Sequence, residues 1–217
     1  MSMAVSYLRV AADHIELLQK DPIDALHDLN LNAYYPDRYT AVGLILQNLP
    51  GHTEELNMND TTWLAWLLSP EMREEKRRGL LARLLHKAPS PAPNLPVVAI
   101  LGNAVASDGI DSIRLPALDF GLGEGRAFDP TTVQKLSTAL SQVIPDDLLR
   151  IFDYDAMQRF GLSGFNVPGF YKEERAREER AREERLARES VTDELWELQE
   201  FYCRAAASGQ YVIVYRR

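Results

Sequence analysis

The sequence has 217 residues, of which 46% are hydrophobic and 26% are charged. That apolar share is typical of globular proteins, and the length suits one sizeable core. No apolar run approaches the roughly 20 residues that span a bilayer. The beginning, MSMAVSYLRVAADHIE, lacks a basic segment followed by an uninterrupted apolar stretch. We therefore expect a protein that neither spans a membrane nor is secreted by that route.

Net charge and cysteine content argue against several classes of function. The formal net charge is -8 at pH 7, which repels a phosphate backbone unless the basic residues gather in a patch, so nucleic-acid binding is not predicted. The single cysteine, Cys203, excludes an internal disulfide and a multi-cysteine zinc site. We expect it to be buried on an amphipathic helix. These features predict a cytoplasmic location.

The first third of the chain reads as a strand followed by helices. MAVSYLRV predicts a strand, and residues 11–20 follow it with helical spacing. Asp21 is a candidate cap for a short helix that begins at Pro22. Residues 36–49 predict a buried helix.

Two further helices and a proline-rich segment follow. Asp60 is a candidate cap for a helix that carries Trp63 and Trp66, and another helix is predicted from Ser69-Pro70 to about Lys87. Residues 88–96, APSPAPNLP, predict a loop because proline disfavours both helix interiors and central strands.

The second half predicts strands, helices and one long charged segment. The apolar residues at 97–105 and 110–120 predict two core strands. Asp129-Pro130 predicts a capped helix start. Residues 172–189, KEERAREERAREERLARE, hold seven basic and seven acidic residues and predict a solvated helix. After this segment, helical spacing resumes until Ser208-Gly209, and YVIVY predicts a closing strand.

Three segments resemble a known family: the opening strand MAVSYLRV, the segment DFGLGEGRAFDPTTVQKLSTAL and the ending LWELQEFYCRAAASGQYVIVYRR. They are similar to the YfbM-like family, number 1877 among the bacterial domains of unknown function. The resemblance implies a fold and no established activity. It also implies that residues 172–189 are an insertion that lengthens the family's penultimate helix.

A glycine-rich loop at residues 121–125 is the strongest candidate site. Gly121 and Gly123 follow a predicted strand and precede a predicted helix, which is the setting of a phosphate-binding loop. The spacing differs from a dinucleotide fingerprint, because Arg126 stands where the third glycine would be. Asp119, Glu124, Asp129 and the nearby Arg126 could form a polar cluster at one end of the sheet, although surface capping and solvation explain these residues equally well.

The other residue patterns favour no particular chemistry. The histidines His14, His27, His52 and His86 lack the spacing that places two imidazoles on one helix face, so no metal is predicted. Neither a P-loop nor a serine-hydrolase elbow occurs, and no cofactor is predicted. Core packing is the expected role of the tryptophans, and an exposed one would mark an interface.

Together these features predict a single α+β domain over residues 1–217, with a small, mostly antiparallel sheet packed with helices and a long charged helix near the C-terminus. The first functional hypothesis is a protein-interaction domain, of the antitoxin or immunity type, whose acidic surface binds a basic protein.

Two alternatives remain open. One is an enzyme or small-ligand-binding protein that uses Asp119, Gly121, Gly123, Arg126 and Asp129. The other treats residues 172–189 as a spacer or dimer arm. The sequence does not decide the oligomeric state, the partner or a substrate.

Overall fold

The structure is a computed structural model that describes residues 4–31, 38–49, 54–59, 62–70, 94–101, 110–119, 124–159 and 173–216. The strands are β1 (Ala4–Val10), β2 (Glu54–Asn59), β3 (Ile113–Leu115), β4 (Gly125–Phe128) and β5 (Tyr211–Arg216). The helices are α1 (Asp13–Leu18), α2 (Pro22–Asp28), α3 (Arg38–Asn48), α4 (Thr62–Leu68), α5 (Leu95–Leu101), α6 (Pro130–Ser141), α7 (Pro145–Ile151), α8 (Tyr154–Arg159) and α9 (Glu173–Ala207). A 3₁₀ turn spans Pro116–Leu118.

The five strands form one antiparallel sheet in the order β2-β1-β5-β4-β3. The central strand β5 and its neighbour β1 therefore come from opposite ends of the described chain. Tyr7 on β1 lies opposite Val214 on β5, and Val214 lies opposite Arg126 on β4. The α+β class and the antiparallel sheet that the sequence predicts are confirmed.

The two faces of the sheet bury separate hydrophobic cores, because successive side chains of a strand point to opposite faces. One face, here called the α9 face, carries Tyr7, Phe128 and Val214 and packs against α4 to α9. The other, the α3 face, carries Leu8 and Ile213 and packs against α1, α2, α3 and the 3₁₀ turn. Helices thus cover the sheet on both sides.

Capping explains where several predicted helices begin. Asp21 accepts a hydrogen bond from the backbone N–H of Ile23 at 3.0 Å, and α2 begins at Pro22 as predicted. Helix α9 includes the described part of the charged segment and ends before Gly209, whose φ of 62° suits glycine. The predicted closing strand then follows as β5.

The prediction of a strand at residues 97–105 is wrong where the structure describes it. Leu95–Leu101 form helix α5, and five of its residues are buried. Asn94 accepts a hydrogen bond from the backbone N–H of Val97 at 3.4 Å and donates one to the carbonyl of Leu68 at 2.9 Å. A helix that is buried all round shows no polar face, so its apolar run resembles a buried strand. Pro96 lies in its first turn, where proline is tolerated.

Two other predictions need correction. The predicted strand at 110–120 shortens to Ile113–Leu115, because the chain turns into the 3₁₀ segment at Pro116. The sequence pattern predicts no strand at Glu54–Asn59, yet this polar segment forms edge strand β2. The loop predicted at 88–96 is wrong at its last two residues, since Leu95 and Pro96 belong to α5. Asp60, residues 71–87 of the helix predicted from Ser69-Pro70 and residues 88–93 of the predicted loop lie outside the described residues.

Candidate functional site

Asp129 serves as the N-cap of α6. Its Oδ1 accepts a hydrogen bond from the backbone N–H of Thr132 at 2.7 Å, and Pro130 opens the helix. A cap of this kind stabilises a helix by about 1 kcal/mol. The carboxylate that the sequence offered as a ligand-binding group therefore already has a structural role.

The glycine-rich loop has a different setting from the one predicted. Gly121 and Gly123 lie outside the described residues, but Gly125 begins strand β4, which separates the loop from α6. A Cβ atom on Gly125 would lie 2.9 Å from the Cβ of Leu118 and 3.3 Å from that of Tyr215. Gly125 therefore lets the 3₁₀ turn approach the α3 face closely, and the loop joins two antiparallel strands rather than a strand and a helix.

Arg126 and Asp119 belong to different surroundings. Arg126 shares the α9 face with Phe128, since Ala127 between them belongs to the core of the α3 face. Asp119 directly follows the 3₁₀ turn, whose Leu118 packs in that same core on the α3 face. Of the predicted site residues that the structure describes, Asp119, Arg126 and Asp129 form no hydrogen-bonded or ion-paired cluster among themselves.

Arg126 instead lies among other arginines. Arg114 is its direct cross-strand neighbour on β3. The β4–β5 register places Arg126 opposite Val214, so Arg216, two residues further along β5, lies on the same face as Arg126. We call Arg114, Arg126 and Arg216 the arginine cluster. Partial burial and, secondly, the charge of Arg114 lower the pKa of Arg126, whereas Glu124 acts to raise it.

The outer side of α9 carries an exposed tryptophan. Trp196 is 61% exposed, whereas Trp63 and Trp66 are 6% and 5% exposed and lie in the core as expected. Asp193 and Glu200 lie three and four residues from Trp196, so they are its neighbours on the helix surface. Trp196 therefore stands in an acidic environment rather than in the core.

We call this surface the Trp196 ridge; it consists of Glu189, Asp193, Trp196, Glu197 and Glu200. Glu200 accepts a hydrogen bond from Arg204 at 2.6 Å. The other three carboxylates form no ion pair with any residue that the structure describes. The sequence offered one signal for this ridge, because Trp196 falls on the helix side opposite the stripe of Leu195 and Leu198.

Cys203 is also exposed on this side of α9. The expectation that it is buried is wrong, because the inward positions of this turn are taken by Phe201, Tyr202 and Ala205. Seven residues separate Trp196 from Cys203, which corresponds to about 10.5 Å along the helix axis. The chain's single thiol therefore lies next to the ridge.

Polar contacts attach the charged first half of α9 to α7 and α8. The Tyr154 hydroxyl donates a hydrogen bond to Glu183 at 2.7 Å. Arg188 donates to the carbonyl of Leu149 at 3.1 Å, and its guanidinium carbon lies 4.7 Å from the centre of the Phe152 ring. Burial and the bond to Glu183 raise the pKa of Tyr154. The segment is thus anchored on one side as well as solvated on the other.

The described residues contain no group of three or more His, Cys, Asp or Glu side chains that could hold a metal ion. Of the four histidines, His14 and His27 are described and lie on the separate helices α1 and α2. None of the described helices has both the length and the apolar character that crossing a membrane requires.

Comparison with known families decides the relationship that the three sequence segments indicated. The family described as Domain of unknown function (DUF1877) matches residues 1–215. The chain belongs to the DUF1877 family. A search of curated proteins finds no match for it. Among solved structures, this DUF1877 chain is similar to "a Protein of Unknown Function YfbM from Escherichia coli", with 14% identity and a TM-score of 0.49. That alignment covers 97% of this chain and 98% of YfbM.

Proposed function

We propose that this DUF1877 chain is a protein-interaction domain whose Trp196 ridge binds a basic protein, as an antitoxin or immunity protein would. The observation that carries the proposal is the 61% exposure of Trp196 on a helix face whose other side is fully packed. An indole left in water forgoes the hydrophobic stabilisation that its burial provides. A partner that covers Trp196 would recover it.

Charge defines the kind of partner. Asp193 lies about one helical turn from Trp196, and Glu189 and Glu197 add negative charge to the same exposed side of α9. None of these three carboxylates forms an ion pair with a residue that the structure describes. Such a surface accelerates encounter with a positively charged protein and disfavours acidic ones. Tryptophan is also enriched among the residues that dominate binding energy at interfaces, where it pairs well with arginine. The occupant that fits the ridge best is therefore a lysine- and arginine-rich protein surface.

Other exposed apolar residues support this assignment less well. Ile144, Ile151 and Leu186 are exposed too, but single aliphatic residues on a surface are ordinary. The alternative of an enzyme or small-ligand-binding protein at loop 121–125 has less support, because Asp129 caps α6 and because Asp119 and Arg126 lie in different surroundings.

The test compares three immobilised baits: wild type, Trp196→Ala and Leu186→Ala. Leu186 lies on the same helix, ten residues from Trp196, and is the matched control for loss of an exposed apolar side chain. We expect one basic protein to bind wild type and Leu186→Ala at low salt, to elute as salt rises, and to be absent from Trp196→Ala. Retention of the same proteins by wild type and Trp196→Ala would contradict the proposal.

A second measurement locates the bound surface. Because Cys203 is the only cysteine, a thiol-reactive, environment-sensitive fluorophore labels the wild-type chain at one known position. Binding of the captured partner should change its emission, since the label lies about 10.5 Å from Trp196 along the helix. The same label moved to Ile144, in a Cys203→Ser/Ile144→Cys variant, should report little change. An equal change at both positions would argue against the ridge.

A further inference from the structure

The arginine cluster breaks a rule of sheet stability. Direct cross-strand neighbours such as Arg114 and Arg126 have Cβ atoms about 4.5–5.5 Å apart, and like charges in such a pair are destabilising. Arg216 is the diagonal neighbour of Arg126 on the same face, at a Cβ spacing of about 7–8 Å. Three arginine residues therefore lie on one face at one end of the sheet.

One carboxylate partly compensates this charge. Oε2 of Glu124 lies 4.0 Å from Nη1 of Arg114. The guanidinium of Arg126 forms no ion pair or hydrogen bond with the residues that the structure describes. Three arginines and one glutamate leave a local charge of about +2, although the whole chain carries -8. Local rules that a protein breaks without compensation tend to mark functional positions.

We propose that the arginine cluster binds a phosphate-type dianion, either free phosphate or the phosphate group of a small phosphorylated molecule. The planar guanidinium fork matches the oxygens of such a group and can bind them in pairs. A dianion balances the local charge, whereas a single carboxylate would leave part of it uncompensated. A long polyanion such as nucleic acid fits less well, because the rest of the chain is acidic. This site is independent of the Trp196 ridge.

The first experiment titrates the wild-type protein with inorganic phosphate by isothermal titration calorimetry, and with acetate at the same ionic strength. We expect saturable binding of phosphate and none of acetate. Glycerol phosphate distinguishes the two sources: tighter binding than phosphate identifies a small phosphorylated molecule as the ligand, and weaker binding identifies free phosphate. Equal binding of acetate and phosphate would overturn the dianion assignment.

Variants assign the binding to these residues. Arg114→Gln and Arg126→Gln should each weaken phosphate binding by about tenfold or more, since each removes a charge-assisted contact. Glu124→Gln should tighten binding because it removes the nearby negative charge. Arg150→Gln is the matched control, with a side chain 76% exposed against 71% for Arg114, and should bind phosphate like wild type.

The melting temperature of the variants distinguishes a ligand-binding role of the arginines from a purely structural one. In the absence of ligand, Arg126→Gln should melt at the same temperature as wild type or higher, because it relieves repulsion from Arg114. If this variant fails to fold, Arg114→Gln decides the question, since its side chain is mostly exposed. Wild-type phosphate affinity in Arg114→Gln, or an equal loss in Arg150→Gln, would overturn the proposal.

Discussion

The two halves of α9 are held in place by different forces. Val191, Leu195, Leu198, Phe201 and Tyr202 in its second half are fully buried against the sheet and neighbouring helices. The described side chains of residues 177–190 in its first half include none that is buried, and polar contacts to α7 and α8 hold this half. Burial of a large apolar side chain contributes about 1.5–3 kcal/mol, whereas an exposed ion pair contributes about 0–1 kcal/mol. Stability should therefore reside mainly in the second half, which leaves the exposed face of the helix free for binding.

The largest effect should come from truncating a buried aromatic of the second half. The Phe201 ring packs at a tilt against Tyr7 and edge-on against Tyr202, with ring centres 6.1 Å and 6.0 Å away. Phe201→Ala should lower the free energy of unfolding by about 3–5 kcal/mol, measured by urea denaturation. Trp196→Ala, an aromatic truncation on the same helix, should change it by less than about 0.5 kcal/mol. Similar losses for the two variants would contradict the comparison.

Alkaline pH should weaken both halves of α9, the second through its own Tyr202 and the first through Tyr154 of α8, which contacts Glu183. Burial raises the pKa of Tyr202, whose hydroxyl donates to the carbonyl of Ala99 at 2.9 Å. The pKa of Tyr154 is raised too. Each phenol keeps its proton in the folded state at a pH where the unfolded chain loses it. Stability is therefore complete below about pH 10 and falls above it, by up to about 1.4 kcal/mol per pH unit for each tyrosine.

Phenylalanine variants assign this pH dependence. Tyr202→Phe and Tyr154→Phe should each flatten the decline of unfolding free energy between pH 10 and pH 11 in denaturation series. The decline should be shallowest in the double variant. A slope in the double variant as steep as in wild type would show that other groups control the alkaline transition.

A smaller loss of stability is expected when the contacts of Arg188, which attach the first half of α9 to α7, are removed. Arg188→Met removes the hydrogen bond to Leu149 and the ion pair with Glu184 while keeping a flexible apolar stem near Phe152. Unfolding free energy should fall by about 1 kcal/mol. Amide hydrogen exchange should become faster in residues 177–190 and stay unchanged in residues 195–207. Faster exchange throughout α9 would mean that the two halves form one cooperative unit.

The smallest effect tests the electrostatic environment of the ridge. Trp63 and Trp66 are buried, so an ionic quencher in solution reaches mainly Trp196. Each ion's quenching is expressed relative to its quenching of free tryptophan, because the two ions differ in intrinsic efficiency. On this scale caesium should quench roughly twofold more efficiently than iodide at low salt, since nearby carboxylates attract the cation and repel the anion. The preference should disappear at high salt and in an Asp193→Asn/Glu197→Gln variant. Stronger quenching by iodide would contradict an acidic ridge.

Local sequence signals correctly predicted the capped helix starts and the first and last strands. Asp21 and Asp129 cap the helices that their sequences indicate, alternation in MAVSYLRV predicted β1, and the apolar run YVIVY predicted β5. Helix α5 was not predicted from the sequence because complete burial removes the helical periodicity of apolar residues. Edge strand β2 was not predicted because its composition is polar. Strand register cannot be derived from local sequence patterns. The sequence therefore could not predict which residues lie beside Arg126 on the neighbouring strands. The candidate site therefore required the structure, although Arg126 itself was named from sequence.

The binding of the captured basic partner to Trp196→Ala, measured by calorimetry beside wild type, tests the central claim most directly. We predict an affinity at least about tenfold weaker, as expected for an interface tryptophan, with an unfolding free energy that stays within about 0.5 kcal/mol of wild type. Wild-type affinity in this variant would show that the exposed side of α9 is not the docking surface.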